Sequence, residues 1–117
     1  MSLGRDGFIR ELQREFPNAF AAISKYESGN LHCEVGTLRR LTEEAIDAGN
    51  AWLAEQHFRF IERLLRDADP DLENALEISY LEDLALGEHT PQRHQIVKER
   101  MPATLRRRLI DMHDWWK

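Results

Sequence analysis

Residues 50–68 carry the pattern that most restricts the fold of this chain. Apolar side chains recur there at alternating intervals of four and three residues, which places them on one face of an α-helix. The opposite face is charged, with Glu55, Arg59, Glu62 and Arg66 at helical spacing. Such a helix needs other elements to cover its apolar face, so we expect that face in the core. The apolar face consists of Ala54, Phe58, Ile61, Leu65 and Ala68.

Helix-start and helix-stop signals divide the rest of the chain into segments of helical length. Thr37 is a favourable N-cap, and Gly49 is favourable just after a helix end. Asp69-Pro70 and Thr90-Pro91 each place a capping residue before a proline at the first helical position. Pro102 disfavours helix in the residue before it and so separates the last two helices. Together these signals predict seven helical segments.

The spacing of these signals favours one helical domain over residues 1–117. With 42% hydrophobic and 32% charged residues, the 117-residue chain suits a packed domain rather than a disordered segment. We expect an all-α domain of about five to seven helices, arranged as antiparallel αα-hairpins in a short stack or an irregular bundle. Residues 1–6 are expected to be disordered or to derive from an expression vector. Residues 31–36, where apolar and polar residues alternate, are expected to be a loop or an edge strand.

Net charge and cysteine content argue against several classes of protein. The formal net charge is −5, whereas a sequence-independent nucleic-acid binder needs a basic surface. No apolar run approaches the ~18 residues that suggest a membrane span, and no signal peptide is visible. Cys33 is the only cysteine, so no internal disulfide and no closed thiolate zinc site can form. We therefore expect a cytoplasmic protein with neither nucleic-acid nor membrane partners.

Common catalytic and metal-binding motifs do not occur in the sequence. It contains no G-x-G-x-x-G, no Walker A lysine, no G-x-S-x-G and no H-E-x-x-H. His57 lies within the apolar arc of its helix, where a hydrogen-bonded core histidine is the commoner interpretation. Cys33 follows His32, but adjacent side chains of an extended segment point to opposite faces and form no dyad. We therefore expect no catalytic residue, no metal ligand and no cofactor.

The charges are distributed unevenly along the C-terminal half of the chain. Residues 69–89 carry seven acidic side chains and no Lys or Arg, whereas residues 90–117 carry seven basic and three acidic ones. Either the two segments pack together and complement each other, or the acidic helix binds a basic partner. Glu73, Glu77 and Glu82 are the candidate partner-binding residues of the second interpretation.

The helix predicted over residues 72–86 is apolar almost all round, which is typical of a central helix. Glu77, Ser79 and Asp83 would then lie at or near buried surface. There they would either satisfy neighbouring polar groups or line a pocket.

Three stretches of the chain form a recognisable set: Leu31–Leu38 (LHCEVGTL), Phe60–Leu65 (FIERLL) and Glu73–Leu84 (ENALEISYLEDL). They resemble a family of small bacterial all-helical proteins of unknown function, and the third stretch is the most specific. The similarity covers roughly residues 8–110. It implies a compact, cytosolic helical domain and brings no established activity.

Three functions from different classes fit the sequence. The first is a protein-interaction module, either an adaptor or immunity-like, that binds an unidentified protein through the acidic helix or through Trp115 and Trp116. These two tryptophans form either a hydrophobic plug on the core or an exposed contact site. The second is a small ligand-binding protein or enzyme that uses polar groups of the helix at 72–86. The third is a self-associating structural subunit. Because the sequence contains no catalytic motif, the first of the three functions is favoured.

Overall fold

Seven helices account for nearly all of the chain that the structure describes, which confirms the predicted all-α fold. This computed structural model describes residues 2–23, 28–86 and 91–112. Over these ranges the only paired extended backbone is an isolated bridge between Leu3 and Ala68, and no helix is long and apolar enough to cross a membrane. In chain order the helices are α1 (Arg5–Glu15), α2 (Pro17–Ala22), α3 (Leu31–Asp47), α4 (Ala51–Asp67), α5 (residues 70–86), α6 (Pro91–Arg100) and α7 (Ala103–Met112).

Helices α3 and α4 form a hairpin whose facing sides are buried. Gly49, at φ +78°, makes the turn between them, a conformation that glycine adopts without steric cost. The Asn50 side chain then caps α4 by accepting a hydrogen bond from the Leu53 backbone N–H at 3.1 Å. The predicted apolar face of α4 is in the core, where Phe58 and Ile61 have no exposed surface. Burying each of these side chains stabilises the fold by roughly 1.5–3 kcal/mol.

Residues 31–36 are neither loop nor strand, and the prediction that α3 begins after Thr37 is wrong. They form the first turns of α3, which Asn30 caps by accepting a hydrogen bond from the Cys33 backbone N–H at 3.2 Å. Val35 is fully buried, and Thr37 is buried within the helix rather than capping it. Leu31 and Val35 are four residues apart, so the alternating pattern also fits one face of a helix.

Helix α5 is buried on one side and exposed at Ile78 and Asp83, so it is not covered almost all round as its apolar sequence predicts. It begins as expected, with the Asp69 side chain accepting from the Leu72 backbone N–H at 2.8 Å and Pro70 in the first turn. Its middle, Leu76–Glu82, is wound as a π-helix with i→i+5 hydrogen bonds. Leu76 and Tyr80 have no exposed surface, and this segment packs mainly against α3.

The N-terminal segment, which we expected to be disordered or vector-derived over residues 1–6, is tied to the core from residue 3 onward. The Leu3 backbone N–H donates to the carbonyl of Asp67 at 2.6 Å, and the Asp69 N–H donates to the carbonyl of Leu3 at 2.7 Å. Arg5 donates two hydrogen bonds, of 2.9 and 2.7 Å, to the carboxylate of Glu34, which is 1% exposed. Both contacts join the start of the chain to helices far along it.

The two C-terminal helices follow the predicted punctuation where the structure describes it. Helix α6 begins at Pro91, and Thr90, its predicted cap, lies outside the described residues. Residues 101 and 102 separate α6 from α7, as the proline at position 102 predicts.

Candidate functional site

A groove of about 540 Å³ opens between the start of α2, the C-terminal half of α3 and the N-terminal half of α4. Four other surface cavities of the described residues hold only about 170–250 Å³. Sites for ligands and anchoring side chains are concave, mostly apolar and of this size. The groove is therefore the candidate binding site, and its larger apolar lining residues are Phe16, Leu41, Trp52 and Leu53.

Trp52 is the exposed aromatic residue of this groove. Its side chain is 66% exposed, although tryptophan offers more apolar area than any other residue. It lies on the charged face of α4, since Glu55 and Arg59 follow it at helical spacing. Single exposed apolar residues are common on protein surfaces, but Trp52 adjoins the apolar lining of the groove, and tryptophan is enriched at the energetic centres of interfaces.

His57 lines the same groove from a nearly buried position, with 2% of its surface exposed. The Phe16 ring meets it edge-to-face, with ring centroids 4.8 Å apart, and Phe60 meets Phe16 in the same manner at 5.2 Å. These contacts hold the imidazole in a fixed orientation. The groove thus has an aromatic wall with one polar ring in it.

A buried hydrogen-bonded cluster of three side chains, Thr42, His57 and Tyr80, lies behind this wall. The Thr42 hydroxyl is 2.8 Å from Nδ1 of His57 and 2.7 Å from the Tyr80 hydroxyl. It also donates to the carbonyl of Leu38 at 3.1 Å. Thr42 and Tyr80 have no exposed surface, so the cluster joins α3, α4 and α5 without help from bulk water.

Burial decides the protonation states within the cluster. It lowers the pKa of His57 from 6.5 to about 4, because a charged imidazole loses its hydration there. It also raises the pKa of Tyr80 above its usual value, an effect that the hydrogen bond with Thr42 partly offsets. At neutral pH both side chains are therefore uncharged.

The charged side chains that line the groove are both acidic. Glu15 and Glu44 are exposed, and no lysine or arginine is among the described lining residues. Glu15 also pairs with Arg63 on α4. The groove consequently combines an apolar interior with an acidic edge, and the carboxylate that favours a cationic neighbour there is chiefly Glu44.

The acidic residues singled out in the sequence lie elsewhere, on α5. Glu77 accepts a hydrogen bond from Arg108 at 2.7 Å, and Glu73 lies 3.7 Å from the same guanidinium. Part of the acidic helix is thus complemented within the chain by the basic helix α7. Glu82 is half-buried. Trp115 and Trp116, the other predicted contact residues, lie outside the described residues.

Polar groups of α5 also meet the start of α3. Ser79 is nearly buried, and its hydroxyl is 2.6 Å from Nδ1 of His32, which is exposed. Asp83 is exposed rather than near buried surface. Cys33 is exposed as well. Within the described residues, no three His, Cys, Asp or Glu side chains are placed to hold a metal ion together.

Sequence reasoning missed the groove but identified part of its wall. The prediction that His57 is a hydrogen-bonded core histidine is confirmed by its burial and by its bond to Thr42. Trp52 carried a usable signal, because a tryptophan on the charged face of an amphipathic helix has no core to enter. No comparable signal marked Phe16, which lies between α1 and α2, because Phe16 contacts α4 only after the chain has folded.

Comparison with known proteins identifies a family but no activity. No curated protein and no solved structure shows significant similarity to the chain. A model of a domain of unknown function, DUF7674, matches residues 9–117. That span includes every residue of the groove. The chain therefore belongs to the DUF7674 family of unknown function.

Proposed function

We propose that the protein is a binding module that takes an apolar segment of a partner protein into the groove between α2, α3 and α4. The single observation that carries this proposal is Trp52, which is 66% exposed on the lining of the groove of about 540 Å³. A partner that covers it removes a large apolar surface from water. The adjacent apolar lining can accept a side chain of that partner.

The partner segment is basic as well as apolar. Glu15 and Glu44 line the groove without a lysine or arginine among the described lining residues. The formal net charge of −5 adds to the attraction for a cationic segment. Arg63 already pairs with Glu15, as Arg108 does with Glu73 and Glu77 on α5, so support for a cationic partner at the groove comes chiefly from Glu44.

Site-specific photo-crosslinking tests this proposal. Benzoylphenylalanine is placed at position 52, and as a matched control at position 78, because Ile78 is a second exposed apolar residue, 42% exposed, on a different helix. Irradiation in the native cells should give a protein crosslink from position 52 and none from position 78. Mass spectrometry then identifies the crosslinked segment, which should be amphipathic and basic.

The identified segment is then synthesised and its affinity measured. Trp52→Ala should weaken binding by about tenfold or more, as truncation of an interface hot spot does. Ile78→Ala should leave binding unchanged. Equal crosslinking from both positions would contradict the proposal, and a crosslink from position 52 to a second copy of the chain would replace it by self-association.

A second candidate function rests on the hydrogen bond between Ser79 and His32. A serine hydroxyl within reach of an imidazole is the first step of nucleophile activation, in which the imidazole takes the proton as the oxygen attacks. A fluorophosphonate probe tests it, because attack by Ser79 forms a P–O bond and releases fluoride. Labelling that disappears in His32→Ala and persists in Cys33→Ala would support catalysis, whereas absence of labelling would exclude this serine as a nucleophile.

A further inference from the structure

The Thr42 hydroxyl fixes the position of every proton in the buried cluster. It has three partners but only one proton, and the Leu38 carbonyl can only accept. All three bonds form together in one arrangement alone. Thr42 donates to the carbonyl, and it accepts from the Tyr80 hydroxyl and from an N–H at Nδ1 of His57.

This arrangement leaves Nε2 of His57 without a proton. A neutral imidazole carries one N–H, and Thr42 holds it at Nδ1. The two ring nitrogens point in diverging directions, so Nε2 faces away from the Thr42 hydroxyl. His57 lines the groove and Thr42 does not, so the groove lies on the side of the ring away from Thr42, which is the side that carries Nε2. Nε2 is thus the hydrogen-bond acceptor in the wall that the aromatic rings of Phe16 and His57 form.

We infer that the groove is specific for an aromatic side chain that carries its own hydrogen-bond donor, a tryptophan indole N–H or a tyrosine hydroxyl, which it donates to Nε2 of His57. This inference rests on the proposed function and adds the identity of the anchoring group. Phe16 and Trp52 supply aromatic surfaces on which such a ring can pack. When such a ring enters the groove, its N–H or O–H takes the place of water as the hydrogen-bond donor to Nε2.

The acidic lining sets where the positive charge of the partner lies. Glu44 contributes a carboxylate to the groove beside Glu15, which Arg63 already pairs, while the interior at His57 is uncharged at neutral pH. An anchor with a nearby ammonium or guanidinium group therefore matches both parts of the site. Tryptamine has this combination in the smallest form, an indole N–H joined by two carbons to an ammonium group.

Two nearly identical probes isolate the hydrogen bond. Tryptamine carries the indole N–H, whereas 1-methyltryptamine has a methyl group in its place and keeps the ring and the ammonium group. Binding is followed by the imidazole nitrogen and carbon-bound proton signals of ¹⁵N-labelled protein. Free protein should show His57 protonated at Nδ1 and bare at Nε2. Tryptamine should shift the Nε2 signal in the hydrogen-bonded direction and bind at least about tenfold more tightly than 1-methyltryptamine.

Variants at His57 serve as matched controls. In His57→Asn the side-chain amide N–H reaches the position of Nδ1 and can still donate to Thr42, but no acceptor remains at the position of Nε2. In His57→Gln the amide oxygen lies near the position of Nε2 and can accept. The preference for tryptamine should disappear in His57→Asn and be partly retained in His57→Gln, with both variants verified as folded by circular dichroism.

Three results would overturn the inference: protonation of His57 at Nε2 in the free protein, equal affinity for the two probes, or no binding of tryptamine at millimolar concentration. Each is distinguishable from failure of the proposed function, which is measured separately by crosslinking from position 52. A protein crosslink combined with equal probe affinities would mean that the groove binds a purely apolar anchor.

Discussion

Replacing Thr42 by valine tests the buried cluster that orients the groove. Valine has nearly the same shape as threonine, so the packing between α3 and α5 is kept. The Tyr80 hydroxyl and the Nδ1 N–H of His57 each lose their acceptor. Tyr80 has no exposed surface and His57 has 2%, so water cannot readily take over.

The magnitude follows from the number of buried polar atoms that lose their partner, which are the Tyr80 hydroxyl and Nδ1 of His57, whether or not Nδ1 keeps its proton. Each such atom costs about 1–3 kcal/mol, so the two together should lower the free energy of unfolding by about 2–6 kcal/mol. Tyr80→Phe removes a donor instead of orphaning one, and it should cost only the net value of one hydrogen bond, about 0.5–1.5 kcal/mol. Thr42→Ser keeps the hydroxyl and should cost about 1 kcal/mol for the lost methyl group.

The double variant Thr42→Val/Tyr80→Phe gives the sharpest comparison. It contains one buried polar group without a partner instead of two, so it should be more stable than Thr42→Val alone by about 1–3 kcal/mol. Urea unfolding at neutral pH, followed by far-UV circular dichroism, measures all four variants. The reasoning is refuted if the double variant loses the sum of the two single effects, or if Thr42→Val costs no more than Tyr80→Phe.

Further predictions concern pH, the N-terminal ion pair and the core. The pKa of His57 is about 4 in the folded protein and 6.5 in the unfolded chain. Between these two pH values the unfolded chain therefore binds one more proton than the folded protein does. The stabilisation is complete above about pH 6.5 and should fall by up to roughly 3 kcal/mol on acidification to pH 4. His57→Phe should lose this part of the pH dependence in urea unfolding, and an unchanged pH slope would contradict it. Arg5→Ala leaves the buried Glu34 carboxylate without its cation and should cost about 2–3 kcal/mol at pH 7, less than for a fully buried pair because Arg5 is 37% exposed. The control is Arg14→Ala, which breaks an exposed pair and should cost at most about 1 kcal/mol, so equal losses would contradict this prediction. Phe58→Ala should cost about 3–5 kcal/mol, because Phe58 has no exposed surface, and a loss below about 1 kcal/mol would place it outside the core.

Features encoded by neighbouring residues were predictable from the sequence. The apolar face of α4, the turn at Gly49 and the start of α5 at Asp69 each depend on a few residues close in the chain. Spacing of three and four residues fixes which side of a helix is buried, and caps fix where it begins. These features were predicted correctly because tertiary contacts reinforce them rather than oppose them.

The start of α3 shows why a short alternating pattern is ambiguous. Over five residues, a period of two and a helical spacing of four both place Leu31 and Val35 on one face. The outcome was decided by Asn30, which caps the helix, and by Gly29, which turns the chain before it at φ +96°. Thr37 also fits a cap by residue type, but its hydroxyl donates to the Cys33 carbonyl inside the helix.

The groove and its polar cluster were not predictable, because they depend on residues far apart in the chain. Thr42 and Tyr80 are 38 residues apart, and their hydroxyls meet only after α5 has packed on α3. The ion pair of Arg5 with Glu34 spans 29 residues in the same way. The sequence indicated only that a buried tyrosine or histidine needs a partner, not which partner it finds.

Helix α5 contributes to the groove without lining it. Its π-helical segment carries Tyr80, whose hydroxyl donates to Thr42, and Thr42 in turn holds the proton of His57 at Nδ1. Thr42→Val should therefore change recognition as well as stability, although Thr42 is not among the described lining residues. In Thr42→Val no acceptor receives the N–H at Nδ1, so the proton is no longer held on that nitrogen. The fraction of His57 whose Nε2 is unprotonated then falls. The preference for tryptamine over 1-methyltryptamine should then drop to less than about half of its original value, whereas Thr42→Ser, which keeps the hydroxyl, should retain it. An unchanged preference in Thr42→Val would mean that the groove itself, and not the cluster behind it, determines the protonation of His57.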